Sequence, residues 1–418
     1  MRLGGCLPNP EMSPAALPHG VCMTPAARLS AAIEVLDCVL DGHSVDPALT
    51  GWSRGHRFAG SGDRAALRDL VFDALRCRRS FAALGGGLTG RGLILGGVRA
   101  AGGDEAALFN GVGHAPVAVG PADAGRPPEA LEALDCPEWL AGRLQAALGD
   151  DFPAVMQALR KRAPVFLRVN RRKASVAQAV AALEADGIAG RPHALASFTL
   201  EITENARKIQ SSRVYADGLV EMQDAASQAV VQALPLRNGT RVLDYCAGGG
   251  GKTLAIAAAA DVDLWAHDAH PRRMVDLPVR AARAGVKVTL TETPVKTGPY
   301  DLILTDVPCS GSGSWRRDPM GKWTLTEARL IELIDLQAKI LDQAAALLAP
   351  GGTLAYATCS MLTEENDGQI ARFLTRHRGW SQTAFHHFSP LQGGDGFFVA
   401  LLTANRSEFT KLEGEQDR

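Results

Sequence analysis

No charge of one sign dominates this chain of 418 residues: 44 Lys and Arg stand against 45 Asp and Glu, a formal net charge of −1. A global electrostatic pull on nucleic acid is thereby excluded, and any such pull must be local. Cysteine clusters are also lacking. The eight cysteines are scattered, with no Cys-x-x-Cys pair and no Cys/His set at zinc spacing. Neither a disulfide framework nor a metal site is expected, and free thiols point to a reducing, cytoplasmic compartment. No apolar run is long enough to span a membrane, and no internal repeat is visible. The first 22 residues, rich in Pro and Gly, have no apolar core and are not expected to act as a signal peptide. What is present is 46% hydrophobic content, which suits two or three globular domains with cores of their own.

Two stretches carry the chemistry. Leu302 to Gly313, LILTDVPCSGSG, opens with apolar, β-prone residues, stops at Asp306 and continues into Pro308, Cys309 and small residues. That pattern is a buried strand ending in a tight, open loop. A second strand, Thr353 to Ala357, ends in the same way at Thr358-Cys359-Ser360. Functional groups of α/β proteins collect at such strand ends. From Met222 onward strands alternate with helices: helix 222–233, strand Arg241 to Asp244, helix Lys252 to Ala260, strand Asp263 to Ala266, helix Arg272 to Ala284, strand Val286 to Leu290, strand Leu302 to Thr305, helix Thr326 to Leu348, strand Thr353 to Ala357 and a last strand within Gly394 to Leu402. This alternation predicts a parallel sheet. If its fourth and fifth strands are adjacent, about 4.8 Å apart, Asp306, Cys309 and Cys359 face one cleft.

Upstream, Pro25 to about Leu84 has helical spacing, with Leu29, Ile33, Leu36 and Leu40 in one series and Leu67, Leu70, Val71 and Leu75 in another. Seven arginines between Arg54 and Arg79 accompany it, as a solvated face or an RNA-contacting one. Pro137 opens a further helix. Arg160 to Lys173, RKRAPVFLRVNRRK, holds seven basic residues and no acid around a strand candidate at Val165 to Val169. A basic strand of this kind is expected to lie along a phosphate backbone.

Arg241 to Thr253, RVLDYCAGGGGKT, is a strand, four glycines and a helix start. Such loops let a ligand approach the backbone and offer free N–H groups. The ending Gly251-Lys252-Thr253 is that of a P-loop, but Cys246 occupies the position where that motif needs glycine. A dinucleotide loop fits only in part, because Thr253 stands at its third glycine position. An S-adenosylmethionine (SAM) loop fits as well, with Asp268 after the next strand facing the ribose hydroxyls; that acid alone does not separate SAM from NAD. The thiol pair favours SAM, since hydride transfer has no use for it. Carbon 5 of a pyrimidine becomes nucleophilic only when a thiolate adds at carbon 6, while a carboxyl group steadies the ring nitrogen and exocyclic amine.

CAGGGGKT at Cys246–Thr253, DVPCSGSG at Asp306–Gly313, LQAKIL at Leu336–Leu341, YATCSMLTEEN at Tyr356–Asn366 and DGFFVA at Asp395–Ala400 together resemble the Sun-type (RsmB-like) family of RNA (cytosine-5)-methyltransferases. The resemblance implies an α/β fold: a Rossmann-like SAM-dependent methyltransferase domain over residues 216–403, preceded by a small α/β RNA-binding module over 136–215 and an all-α NusB-like domain over 24–135. Residues 1–23 are expected to be a disordered extension and 404–418 a tail. It also implies that Cys359 is the nucleophile, that Cys309 assists product release and that Asp306 holds the cytosine. Cys246, Ala247, Gly248, Gly249, Gly250, Gly251, Lys252, Asp268 and Arg273, with Asp306, would line the cofactor site, and the cofactor is S-adenosyl-L-methionine. DNA cytosine methyltransferases take their nucleophile from the Pro-Cys loop, so Cys359 rather than Cys309 is a choice made by resemblance. The partner implied is RNA, small-subunit ribosomal RNA first and tRNA as the alternative, bound by a monomer with no metal and no membrane. A non-catalytic RNA-binding factor of the same fold is the remaining alternative. The chain departs from the family at Gly248-Gly249, where Ala-Pro is common, and at Thr291-Glu292-Thr293, where an adenine-contacting aspartate is usual; Glu292 is a possible substitute.

Overall fold

The structure, a computed structural model, describes residues 22–404. Of the extension expected over residues 1–23 only the last two residues fall within that range, and of the 404–418 tail only the first; the rest lie outside the described residues. The chain divides into two compact units, one ending at Ala141 and the other beginning at Gly142.

Among its described residues the first unit is helical, as its spacing predicts. Helix Pro25–Leu40 starts at Thr24, whose Oγ1 accepts the Ala27 N–H at 3.1 Å, with Pro25 in the first turn where its missing N–H costs nothing. Leu29, Leu36 and Val39 turn inward from it and meet Leu67, Val71 and Leu75 of helix Ser61–Arg76 as part of one buried set. The glycine-rich stretch that follows is packed, not loose. Helices Arg78–Gly85 and Gly90–Ala100 cross so closely that a Cβ on Gly96 would stand 1.9 Å from the Phe81 carbonyl oxygen. Several arginines of this unit are engaged internally: Arg68 pairs with Asp46 at 2.7 Å and Arg76 with Asp73 at 2.6 Å.

The second unit contains two sheets. The smaller has the order β2-β3-β1-β4, all antiparallel, with β1 at Val165–Val169, β2 at Ala189–Pro192, β3 at Thr199–Glu204 and β4 at Val220–Met222. Its last strand, β4, lies beyond residue 215. Helix Val176–Ala185 begins in a Ser175/Gln178 capping box and buries Ala179 and Leu183 against this sheet.

The larger sheet has seven strands in the order β10-β11-β9-β8-β5-β6-β7. They are β5 (Arg241–Asp244), β6 (Asp263–Ala266), β7 (Thr289–Leu290), β8 (Tyr300–Asp306), β9 (Leu348–Thr358), β10 (Trp380–Phe388) and β11 (Phe397–Ala404). β5 to β9 run parallel, and β11 and β10 pair antiparallel at the far edge. This is the Rossmann-like sheet expected of a SAM-dependent methyltransferase. The central strands are buried on both faces, so their apolar residues feed two cores alternately. Leu302 and Leu304 point into one core with Val242, Ala355 and Val399; Tyr300 and Ile303 point into the other with Leu243, Leu354 and Phe398. Each such leucine or isoleucine contributes roughly 1.5–3 kcal/mol of burial, which fixes the β8–β9 register that the site depends on.

Two of the elements expected from the sequence come out shorter, and β10 is a strand the sequence reading does not contain. The helix expected over Arg272 to Ala284 is a short 3-10 turn, Pro271–Met274, followed by a separate helix Leu277–Ala284. Pro278 is the reason: it has no N–H to continue a helix but suits the first turn of a new one. The edge strand β7 is only Thr289–Leu290, both exposed; Val286 and Val288 pack on the cores without joining the ladder to β6.

Candidate active site

The doubly wound sheet reverses direction between β5 and β8, and the loops leaving those strands, with the loop after β9, open on one cleft. Asp306 ends β8 opposite Ala357 of β9. That register places the residues three and two positions on, Cys309 and Cys359, with their sulfurs 3.4 Å apart and unbridged. The two strand ends anticipated as neighbours are neighbours.

Asp306 is held by Lys252, whose Nζ donates to Oδ2 at 2.7 Å from the first turn of the helix after the glycine loop. Burial opposes the Lys252 charge, but the Asp306 carboxylate outweighs it and keeps the ammonium above its ordinary pKa. Lys252 also lies 4.7 Å from the Phe397 ring centroid. Of the loop residues, its side chain therefore serves the carboxylate and thiol side of the cleft.

The two thiols are not equivalent. The Cys359 thiol is held below its ordinary pKa, chiefly by the hydrogen bond from Cys309; burial and Asp306 push the other way, and Lys252 and Ser314 assist. Cys309 is pushed well above, by that same hydrogen bond, by burial and by its neighbours' negative charge. A thiolate, not a thiol, is the nucleophile. The two thiols thus carry opposite electrostatic bias, which the sequence pattern alone does not show.

Beneath both sulfurs is a carboxylate that was quoted in a motif without a role. Glu365 is fully buried. Its oxygens accept the Ser310 N–H at 2.8 Å, the Ser310 and Ser360 hydroxyls at 2.5 Å each, and the Gln337 amide at 2.9 Å. Ser310 follows Cys309 and Ser360 follows Cys359, so one side chain ties both cysteine loops together. Tyr356 closes the knot by donating to the Glu365 carbonyl at 2.6 Å, and Asn366 donates to the Ser360 carbonyl at 2.9 Å. The adjacent loop is anchored by Arg316, buried with Asp395 at 2.8 Å, and by Arg317, which reaches Asp395 and Asp224 at 2.6 Å each.

At the cofactor end the chain leaves β5 through Cys246 and Ala247 into Gly248, Gly249, Gly250 and Gly251. Gly250 caps the helix Gly251–Ala259 at φ +81°, where a Cβ would stand 2.3 Å from Leu277; no other residue fits. Asp268 is buried and braces this loop, accepting from the Gly248 N–H at 2.9 Å and the His270 N–H at 2.8 Å, with Arg273 at 3.3 Å. Arg273 stands over Gly248 on the loop's outer side. The Cys246 thiol is pushed up, mainly by burial, and stays protonated. Under the loop, Asp244 keeps one oxygen on the Thr253 hydroxyl at 2.6 Å while Oδ1 has no protein partner. An acid-braced glycine loop at a helix N-terminus, with an orphaned carboxylate oxygen at its base, fits SAM: a ribose and a charged amino acid end both find acceptors there. Glu292 is exposed just past β7.

Part of the basic stretch from Arg160 to Lys173 is engaged within the protein. Arg168 is buried, and Arg172 and Lys173 donate to main-chain carbonyls of the larger sheet's helices. Lys161, Arg162 and Arg171 remain exposed as candidates for phosphate contact.

Comparison with known proteins agrees with this architecture. The 16S rRNA methyltransferase RsmB/F family model matches residues 231–405, and the ferredoxin-like domain model of RsmF/B-like methyltransferases matches residues 136–209. The ribosomal RNA small subunit methyltransferase B of Salmonella arizonae is 36% identical over 282 residues, 64% of this chain and 66% of that protein. Its counterpart from Escherichia coli O6:K15:H31 is 35% identical over the same shares. The chain thus spans just under two thirds of the length of these curated relatives. A solved methyltransferase homolog protein from Pyrococcus horikoshii superposes with a TM-score of 0.57 at 25% identity, covering 65% of this chain and 96% of that one.

Proposed function

The chain belongs to the RsmB/F methyltransferase family, and from that premise we propose that it methylates carbon 5 of a cytosine in small-subunit ribosomal RNA, with SAM as methyl donor and Cys359 as nucleophile. The observation that carries this reading is the 3.4 Å approach of two thiols of opposite electrostatic bias beside the Lys252–Asp306 pair. SAM, bound on the glycine loop, supplies the methyl group.

The Cys359 thiolate bonds to carbon 6 of a cytosine flipped out of its stack, and the electron pair of the carbon 5–carbon 6 double bond moves toward carbon 5 and the ring. Asp306, at the end of β8, holds the cytosine by accepting from its exocyclic amine, and Lys252 fixes the carboxylate's orientation and offsets the negative charge that develops on the ring. Carbon 5 then takes the methyl group, leaving S-adenosylhomocysteine. Solvent takes the carbon-5 proton, the electron pair left behind restores the double bond, and the carbon–sulfur pair leaves with sulfur, returning Cys359 as thiolate. Cys309, protonated and within hydrogen-bonding reach of Cys359, participates in this release.

Exposed Lys161, Arg162 and Arg171 provide local positive charge for RNA, and residues 24–135 act as a second, NusB-like RNA-binding domain. The enzyme works in the cytoplasm, as a monomer and without a metal. The test is bisulfite sequencing of ribosomal RNA from a strain lacking the gene. One cytosine of the small-subunit RNA should lose its resistance to deamination. An unchanged ribosomal pattern with a cytosine lost from tRNA would move the substrate, and no change in any RNA would overturn the reading.

A further inference from the structure

The antiparallel pairing of β1 and β4 sets Arg168 directly opposite Glu221. Both are buried. Arg168 Nη1 donates to the Gly251 carbonyl at 2.9 Å and to Gln223 Oε1 at 2.6 Å. Glu221 accepts from Arg283 at 2.6 Å and from Arg280 at 3.2 Å, and Arg280 in turn donates to the Gly249 carbonyl. Two alternate carbonyls of the glycine loop are therefore gripped from residues of the module or from an arginine the module orients. Peptide units are rigid planes, so fixing the Gly249 and Gly251 oxygens fixes the planes leading to Gly250 and Lys252. A loop of four glycines has little stiffness of its own, and the family's common Ala-Pro, which would supply some, is Gly248-Gly249 here. A second arginine of the same strand region, Arg172, grips the opposite end of the helix: it donates to the carbonyls of Ala257 at 2.6 Å and Ala260 at 2.8 Å, and pairs with Asp261 at 2.7 Å.

We propose that the small α/β module is a positioning element of the methyl-donor site: Arg168 directly, and Glu221 through Arg280, hold the glycine loop in its donor-binding shape. The module's charge is thus directed inward at the cofactor loop as well as outward at RNA. This inference rests on the reading that the loop binds SAM.

Calorimetric titration of the full-length protein with S-adenosylhomocysteine tests it. Arg168→Met and Arg280→Met should each weaken binding by about tenfold or more, the worth of one charged hydrogen bond, while a non-specific RNA oligonucleotide binds as before. Arg172→Met removes as many contacts between the same two elements but none at the loop, so it should lower the melting temperature and leave S-adenosylhomocysteine affinity unchanged. Arg280 is partly exposed, so its variant answers the question if Arg168→Met does not fold. Glu221→Gln should fall between wild type and Arg280→Met, since it keeps the shape but unpairs the arginine. Unchanged affinity in both loop-facing variants, or an equal loss in Arg172→Met, overturns the inference alone. A wild-type protein that takes up no S-adenosylhomocysteine overturns the methyl-donor reading and this inference with it.

Discussion

The two ends of the cleft are held in opposite ways. The cysteine loops are knotted from within, around a buried carboxylate from the turn after β9: Glu365 joins Ser310 to Ser360 and so Cys309 to Cys359. The glycine loop is held from without, by Arg168 of a neighbouring module and by Arg280, which that module's Glu221 orients. The proposed bond making at carbon 6 would demand sub-ångström placement of a thiolate, and an internal network of charge-assisted hydrogen bonds suits that demand. A loop that must admit and release a cofactor can be shaped from outside and still open.

The comparison breaks first at the nucleophile. Cys359→Ala should lower turnover by on the order of 10³-fold or more, with S-adenosylhomocysteine affinity intact; a variant that still methylates would return the role to Cys309. Glu365→Ala comes next. It strips the partners from two buried serines and an amide at once, and should cost about 2–5 kcal/mol in stability, measured by urea unfolding, and lower kcat without changing KM for SAM. A rise in KM with kcat preserved would mean that the knot serves the donor end after all. Cys309→Ala removes the donor that lowers the Cys359 pKa, so the acid limb of the pH–rate profile, where the nucleophile ionises, should move to higher pH, and product release should stall.

The glycine end has a pH liability that the cysteine end does not share. Burial, with Asp306 and Asp268 adding to it and the Thr253 hydroxyl opposing, raises Asp244 to about 7 from 3.8. Between about pH 4 and pH 7 the unfolded chain has already released this proton while the folded chain keeps it. Stability should therefore fall as pH rises through that window, by on the order of a few kcal/mol. Melting temperatures of wild type and Asp244→Asn across that range check this: the variant's curve should be flatter. A wild-type curve that rises from pH 4 to 7 and is unaltered in Asp244→Asn would contradict it. The smallest effect belongs to the exposed basic residues. Lys161→Ala should reduce RNA affinity modestly and lower the slope of its salt dependence by about one, with cofactor binding untouched.

What the sequence made legible was the part in which local pattern and tertiary role coincide. β8 and β9 are apolar runs because they are buried on both faces, and their ends announce themselves by the abrupt switch to Asp306-Val307-Pro308-Cys309 and Thr358-Cys359-Ser360. β10 was not legible: Trp380–Phe388 is an exposed edge strand whose residues alternate only weakly, and its Gln, Thr and His suggest a loop. Glu365 was visible as a letter in TEEN but not as a knot, because its partners Ser310 and Gln337 are 55 and 28 residues away. The basic strand was read from charge density, which cannot tell an arginine facing a phosphate from one facing a carbonyl. Arg168 and Arg172 face carbonyls.

The most direct measurement is mass spectrometry of the denaturation-resistant complex that the Cys309→Ala protein should form with its RNA and SAM. The account predicts a methylated cytosine joined to the peptide carrying Cys359, and no such adduct in the Cys309→Ala/Cys359→Ala double variant. RNA attached to any other residue, or an adduct that survives in the double variant, would contradict it.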